Sequence, residues 1–272
     1  MSTMEVSNLT KSFLYKMLNE GKRFDGRGLL DLKDFEIEYG VSNKAEGSAR
    51  VRLGKTEIIA GIKLAPGEPY PDSLEKGNLI VSGDLLPMAS PRFELGPPGF
   101  EGIEAPRLID RMVRECGMIE FEKLVIEPKE KVWTLFIDFY PINDDGGLVD
   151  AASIACVAAL KKAIMPVLDK EGRVDYEKKG TKKLPLNEEV VPLSFTFYKL
   201  GDKLILHPTR EEEEACEAKI TFGASKWNGK LYINSCQKGW EKTFTKEEID
   251  TIMDIIPKKY EEMIKKLNKF IE

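Results

Sequence analysis

The chain has 272 residues, enough for one large domain or two small ones with a sizeable core. Its formal net charge of −5 argues against a free-standing, nonspecific polyanion binder, although one basic face stays compatible with it. One histidine and four cysteines without a CxxC pair argue against a zinc site.

The N-terminal MSTMEVSNLTKSF lacks a basic-then-apolar leader pattern, and the longest uncharged run, residues 151–160, is too short to span a bilayer. The expectation is a soluble, cytoplasmic protein with reduced thiols and no membrane partner. Residues 7–20 read as a helix, with Ser7 or Asn8 as cap, an apolar stripe of Leu9, Phe13, Met17 and Leu18, and Gly21 as its end. RFDGR at 23–27 follows. Its simplest reading is structural: Asp25 orders the turn and an arginine bridges to the fold. Residues 34–65 read as a three-stranded meander with turns at 42–47 and 54–55. A Pro- and Gly-rich loop at 66–78, a strand within 78–90 and a second such loop at 91–102 come next. A short helix is expected at 105–117, with Pro106 in its first turn and Gly117 past its end.

Residues 123–142 hold one or two strands, and Trp133, Leu135, Ile137 and Phe139 share a face. The helix after Gly147 should run to about Met165, where Pro166 stops it. Its apolar residues occupy nearly all sides, so it should be buried, with Cys156 as a structural thiol. A charged linker covers about 169–187. Hairpins then turn at Gly201–Asp202 and at Asn228–Gly229, the latter a type I′ signal. Thr245 and Glu248 fit a capping box for a C-terminal helix that Pro257 ends or kinks. These elements describe one α+β domain, with an N-terminal half of about 1–168 and a C-terminal half of about 188–272.

Two stretches bear on chemistry. DDGGLVD at 144–150 places a Gly pair at a helix entry, a geometry suited to anions, yet it carries Asp144, Asp145 and Asp150. Arg107, Arg111 and Arg114 lie at i, i+4 and i+7, on one face of the expected helix. That ridge either grips successive phosphates or is a solvated face paired locally with Asp110 and Glu115. Glu211–Glu214 cannot all face one ion and read as a solvated acidic face, and His207 reads as structural. No GxSxG, Walker loop or HExxH is present, so no catalytic residue, metal or cofactor is assigned.

RFDGR, EGSARVRLGKTEIIAGIK, EAPRLIDRMVREC, WTLFIDFYPINDDGGLVDAASIACVAALKKA and VPLSFTFYKLGDKLILHPTREEEEACEAKITFG, in this order, resemble the RNase PH family, closely its non-catalytic ring subunit of the archaeal exosome. The resemblance implies an RNase PH-like α+β fold with duplicated β-rich halves around central helices. It implies a hexameric ring of three heterodimers with an active RNase PH-type sister subunit, RNA-binding cap subunits, and single-stranded RNA degraded from its 3′ end by phosphate. Active members carry threonine and arginine where this chain has Leu148, Val149 and Asp150, and Asp150 there would repel a phosphate. They carry a catalytic Asp where a gapless alignment puts Lys219. The arginines of 105–117 are retained, so the resemblance implies that at least one, Arg111 first, contacts RNA. The loops 66–78 and 91–102 belong to the channel, to the subunit seams, or to plain surface.

Overall fold

The computed structural model describes residues 6–178 and 180–271. Residues 1–5, where the stretch inspected for a leader begins, lie outside the described residues. In chain order the elements are α1 (Asn8–Asn19), β1 (Phe35–Tyr39), β2 (Gly47–Leu53), β3 (Thr56–Gly67), β4 (Asn78–Gly83), α2 (Phe100–Glu115), β5 (Val125–Glu127), β6 (Lys131–Asn143), α3 (Leu148–Lys161), β7 (Leu193–Leu200), β8 (Lys203–Leu206), α4 (Arg210–Ala215), β9 (Ala218–Trp227), β10 (Lys230–Gly239) and α5 (Lys246–Ile271).

Alternation along β2, β3 and β6 puts Val51, Ile58, Ala60, Ile62, Leu135, Ile137 and Phe139 on one buried face. These strands form a sheet ordered β1-β2-β3-β6-β4, with β5 also on β6. All its pairings are antiparallel except β4 with β6. The second sheet is antiparallel, ordered β10-β9-β7-β8.

Between the sheets lies α3. Every residue from Leu148 to Leu160 is buried, as an all-round apolar helix requires. Gly47 lets β2 approach it backbone to backbone: a Cβ there would sit 2.4 Å from the Ala159 carbonyl oxygen. Side chains from both sheets, α2, α3 and α5 join one core. The α+β architecture is therefore as expected.

Three local expectations need correction, and one pair of alternatives is narrowed. Helix α1 is capped by Ser7, whose hydroxyl accepts from the Thr10 N–H at 3.1 Å. Its buried residues, however, are Leu14 and Leu18, while Leu9 is 82% and Phe13 51% exposed. Phe13 packs instead on Phe24 of the RFDGR turn, ring centroids 5.7 Å apart. Helix α2 begins at Phe100, inside the expected loop, so Pro106 is interior. Its missing N–H costs the helix one internal bond, and burial of Pro106 with Ala105 and Ile109 holds the turn together. Helix α3 stops at Lys161, before the expected Met165, where the apolar run gives way to two lysines. Residues 163–165 then bridge to the linker: Met165 N–H donates to the Lys182 carbonyl at 2.7 Å and Leu184 N–H to that of Ala163 at 3.0 Å. The linker is thus stitched to the core. Finally, of the two alternatives at Pro257 the helix end is excluded, because α5 continues through it to Ile271. Burial of Ile252, Ile256, Tyr260 and Met263 on one side spans the proline, and the Tyr260 hydroxyl donates to the Val191 carbonyl at 2.8 Å.

Candidate nucleic-acid interface

The Gly pair occupies a left-handed turn, with φ of +78° at Gly146 and +73° at Gly147. A side chain at Gly146 would also meet the Pro208 carbonyl oxygen at 2.6 Å, so glycine is required twice over. The turn's carbonyls are tied down: Gly146 O accepts from Thr56 Oγ1 at 2.8 Å and from Lys33 Nζ at 3.2 Å. Its N–H side, the place for an anion, already holds one. The Gly147 N–H donates to Glu213 Oε2 at 2.9 Å. Arg92 completes the cluster, with Nη2 at 2.8 Å from Asp144 Oδ2 and 3.7 Å from Glu213 Oε1. Burial pushes the Asp144 carboxyl up to about 6, against the pull of Arg92 and with a further push from Glu213. The space left between this cluster, Leu148, Val149 and Lys219 is about 20 Å³, about one water.

Glu213 reaches the turn because α4 is held in place. Thr209 and Glu212 form a reciprocal capping box. Glu212 in turn receives Arg23 in a fully buried bidentate pair, Nε to Oε1 at 3.0 Å and Nη2 to Oε2 at 2.6 Å. Arg23 Nη1 also donates to the Leu206 carbonyl, and Nη2 to that of His207. Arg27 donates to the same His207 carbonyl at 2.9 Å while pairing with Asp25. The structural reading of RFDGR therefore holds. The reading of Glu211–Glu214 as a solvated face does not: Glu212 and Glu213 are buried, each held by an arginine and a backbone N–H. The signal was in the sequence, because TREE places Thr209 and Glu212 at capping-box spacing.

Asp150 also needs correction. It does not face the turn but points toward the second sheet, accepting from Ser194 Oγ at 2.9 Å, Thr196 Oγ1 at 2.9 Å and the Thr196 N–H at 3.1 Å. Burial raises its pKa to about 7 against these bonds. His207, at 3.7 Å from Asp150, is buried, and burial plus Lys33 and the RFDGR arginines hold its pKa well below the usual value. Its Nδ1 accepts from the Lys33 N–H at 3.1 Å, so its role is structural, as expected.

The arginine ridge is split by the fold. Ala105, Leu108, Ile109, Met112 and Val113 bury one face of α2 and leave Arg107, Arg111 and Arg114 exposed. Arg114 is taken up locally: it grips both oxygens of Asp110, at 2.6 and 3.1 Å, and donates to the Leu79 carbonyl on β4. Arg111 Nη1 donates to Gln237 Oε1 of β10 at 3.2 Å. Among the described residues Arg107 has neither a hydrogen bond nor an ion pair. Arg107 and Arg111 border a groove of about 290 Å³ whose other walls are Phe100, Ile103, Glu104, Leu108 and Gln237. Glu104, part of this groove's wall, closes a buried ion pair with Lys219, whose Nζ lies 2.7 Å from Glu104 Oε2. Gln237 was not singled out in the sequence; only pairing of β10 beside α2 brings it to Arg111. Among the described residues no group of three or more His, Cys, Asp or Glu side chains is placed to hold a metal. No described helix is long and apolar enough to cross a membrane.

The two halves of this arrangement have known counterparts. Residues 31–166 match the model of domain 1 of the 3′ exoribonuclease (RNase PH) family, and residues 191–255 match domain 2. The exosome complex component Rrp42 of Methanothermobacter thermautotrophicus is 40% identical over 97% of this chain and 96% of its own length. A chain of the Archaeoglobus fulgidus exosome, solved with RNA bound to the active site, superposes with a TM-score of 0.85 at 35% identity, covering 94% of this chain and 98% of that one. A chain of an archaeal exosome core gives 0.79 at 32% identity, covering 91% and 92%. Matched in both domains, and along nearly its whole length by such relatives, the chain belongs to the RNase PH-type 3′ exoribonuclease family.

Proposed function

We propose that this chain is the non-catalytic RNase PH-type subunit of an archaeal exosome ring. There it alternates with an active sister subunit, in a hexamer of three heterodimers, and supplies part of the path for single-stranded RNA. One observation carries the non-catalytic reading: the anion position at the N-terminus of α3 is filled by the chain's own Glu213. Phosphorolysis needs those donors free for inorganic phosphate and cations aimed at the charge that develops on it. Leu148 and Val149 offer no side-chain donor, Glu213 repels a phosphate dianion, and Arg92 is already committed to Asp144 and Glu213.

The RNA role rests on Arg107 and Arg111, two guanidinium groups one helical turn apart on an open groove. Arg114, bound to Asp110, takes no part. The ring role is supported by the exosome relatives and by apolar surface beside the groove. Phe100, 68% exposed, and Ile103, 50% exposed, both line the groove and give it apolar surface of the kind a partner covers. Cap subunits that bind RNA would seat on the assembled ring, and the complex would act in the cytoplasm.

The test is phosphorolysis of single-stranded RNA with inorganic phosphate, read as nucleoside diphosphate release. The chain alone should be silent, and a mixture with its active sister should exceed the sister alone. Release by the repurified chain alone would sink the non-catalytic reading. An unchanged rate in the mixture would sink the ring reading.

A further inference from the structure

Glu104 stands one turn before Arg107 on α2, at the i, i+3 spacing that lets a carboxylate and a guanidinium pair on a helix surface. It also lines the groove. Left to itself it would neutralise Arg107 and place a negative charge where an RNA phosphate is to sit. It does not, because Lys219 of β9 takes it, Nζ to Oε2 at 2.7 Å, with both side chains nearly buried.

Two further features hold Lys219 to this task. Its ammonium lies over the Trp240 ring, 5.2 Å from the centroid. Gly239, its register partner on β10, leaves the room: a Cβ there would come within 2.7 Å of Lys219 Cε and 3.4 Å of Glu104 Oε1. The geometry points to Lys219 as a positioning residue that withholds Glu104 from Arg107 and so keeps Arg107 and Arg111 open to RNA phosphate. This rests on the RNA-path reading of those arginines. Lys219 itself touches no RNA in it.

The assembled ring, without inorganic phosphate so that RNA stays intact, is titrated with a fluorescent single-stranded RNA at several salt concentrations. Arg107→Ala with Arg111→Ala tests the underlying reading. Lys219→Met tests the inference and should weaken binding about tenfold, the effect of about one charge-assisted phosphate contact. The slope of log K against log salt should become shallower by about 0.7, the value for one phosphate on a single strand. Adding Glu104→Gln to Lys219→Met should restore both affinity and slope. Glu104→Gln alone should bind at least as tightly as the parent, and this arm stands even where Lys219→Met rings fail to assemble.

If the double arginine variant binds normally, the RNA reading falls and the inference with it. If that variant is weak while Lys219→Met binds normally, or while Glu104→Gln fails to restore it, only the inference falls. A Lys219→Met ring with a lowered melting temperature but an unchanged salt slope also overturns it, because a merely structural pair would give that result.

Discussion

The Gly-Gly turn and the arginine groove lie on the two sides of Glu104, and they treat charge in opposite ways. At the turn every cation has found a carboxylate of the same chain: Arg23 has Glu212, while Arg92 has Asp144 and Glu213. At the groove Arg107 and Arg111 are left without one, and the carboxylate that lines it, Glu104, is paired with Lys219. An arginine's type and spacing do not decide whether it binds an outside anion. The decision falls to where the fold sends the carboxylates around it: Glu213 is brought to Arg92 from α4, and Glu104 is drawn to Lys219 of β9.

The comparison breaks most visibly from the inside. Arg23→Met leaves Glu212 buried without its cation and should cost about 3–5 kcal/mol of stability, read by denaturant unfolding. A cost below about 1 kcal/mol would mean that α4, and with it Glu213, is not held as described. On the groove side, Arg107→Ala with Arg111→Ala should lower the RNA affinity of the assembled ring about a hundredfold, roughly 2.7 kcal/mol, and leave chain stability within about 0.5 kcal/mol. Equal damage to stability would show that the two regions are not separate.

pH sharpens the contrast. Protonated Asp150 is favoured by the fold, since its pKa is raised from 3.8 to about 7. Its contribution to stability is therefore fully present below about pH 4 and is lost as pH rises through about 7, with a slope of at most about 1.4 kcal/mol per pH unit. Asp144, raised to about 6, adds to the same trend. Melting temperature should accordingly fall across this window, and Asp150→Asn should flatten the fall. On the proposed RNA path, which rests on arginines, RNA affinity should stay constant between pH 6 and 8. The smallest effect belongs to Arg114→Ala, which removes an exposed i, i+4 pair with Asp110 and should change stability by no more than about 0.5 kcal/mol and RNA affinity by less than about twofold.

Much of the fold was legible in the chain. Alternation marked the meander and the face shared by Trp133, Leu135, Ile137 and Phe139. Asn228–Gly229 marked its hairpin, and the two residues take φ of +48° and +78° there. The helix after Gly147 declared its burial by being apolar on nearly all sides. Boundaries were less legible. Pro106 suggested a helix start, but packing of Ala105 and Ile109 carries α2 back to Phe100. Leu9 and Phe13 looked like core from their spacing, whereas α1 turns Leu14 and Leu18 inward and leaves the first two exposed.

For the candidate site, the sequence by itself determined which groups are present: a Gly pair at a helix entry, no Ser, Thr or Arg after it, and three arginines on one helical face. Those facts follow from local covalent order and from the 3.6-residue period. Tertiary structure alone decided their pairing. Glu213 is 66 residues from Gly147, Lys219 is 115 from Glu104, and Gln237 is 126 from Arg111. A carboxylate four residues away, as Asp110 is from Arg114, can be anticipated from spacing. A partner that arrives from the second half of the chain cannot, because its position depends on how α4, β9 and β10 pack against the first half.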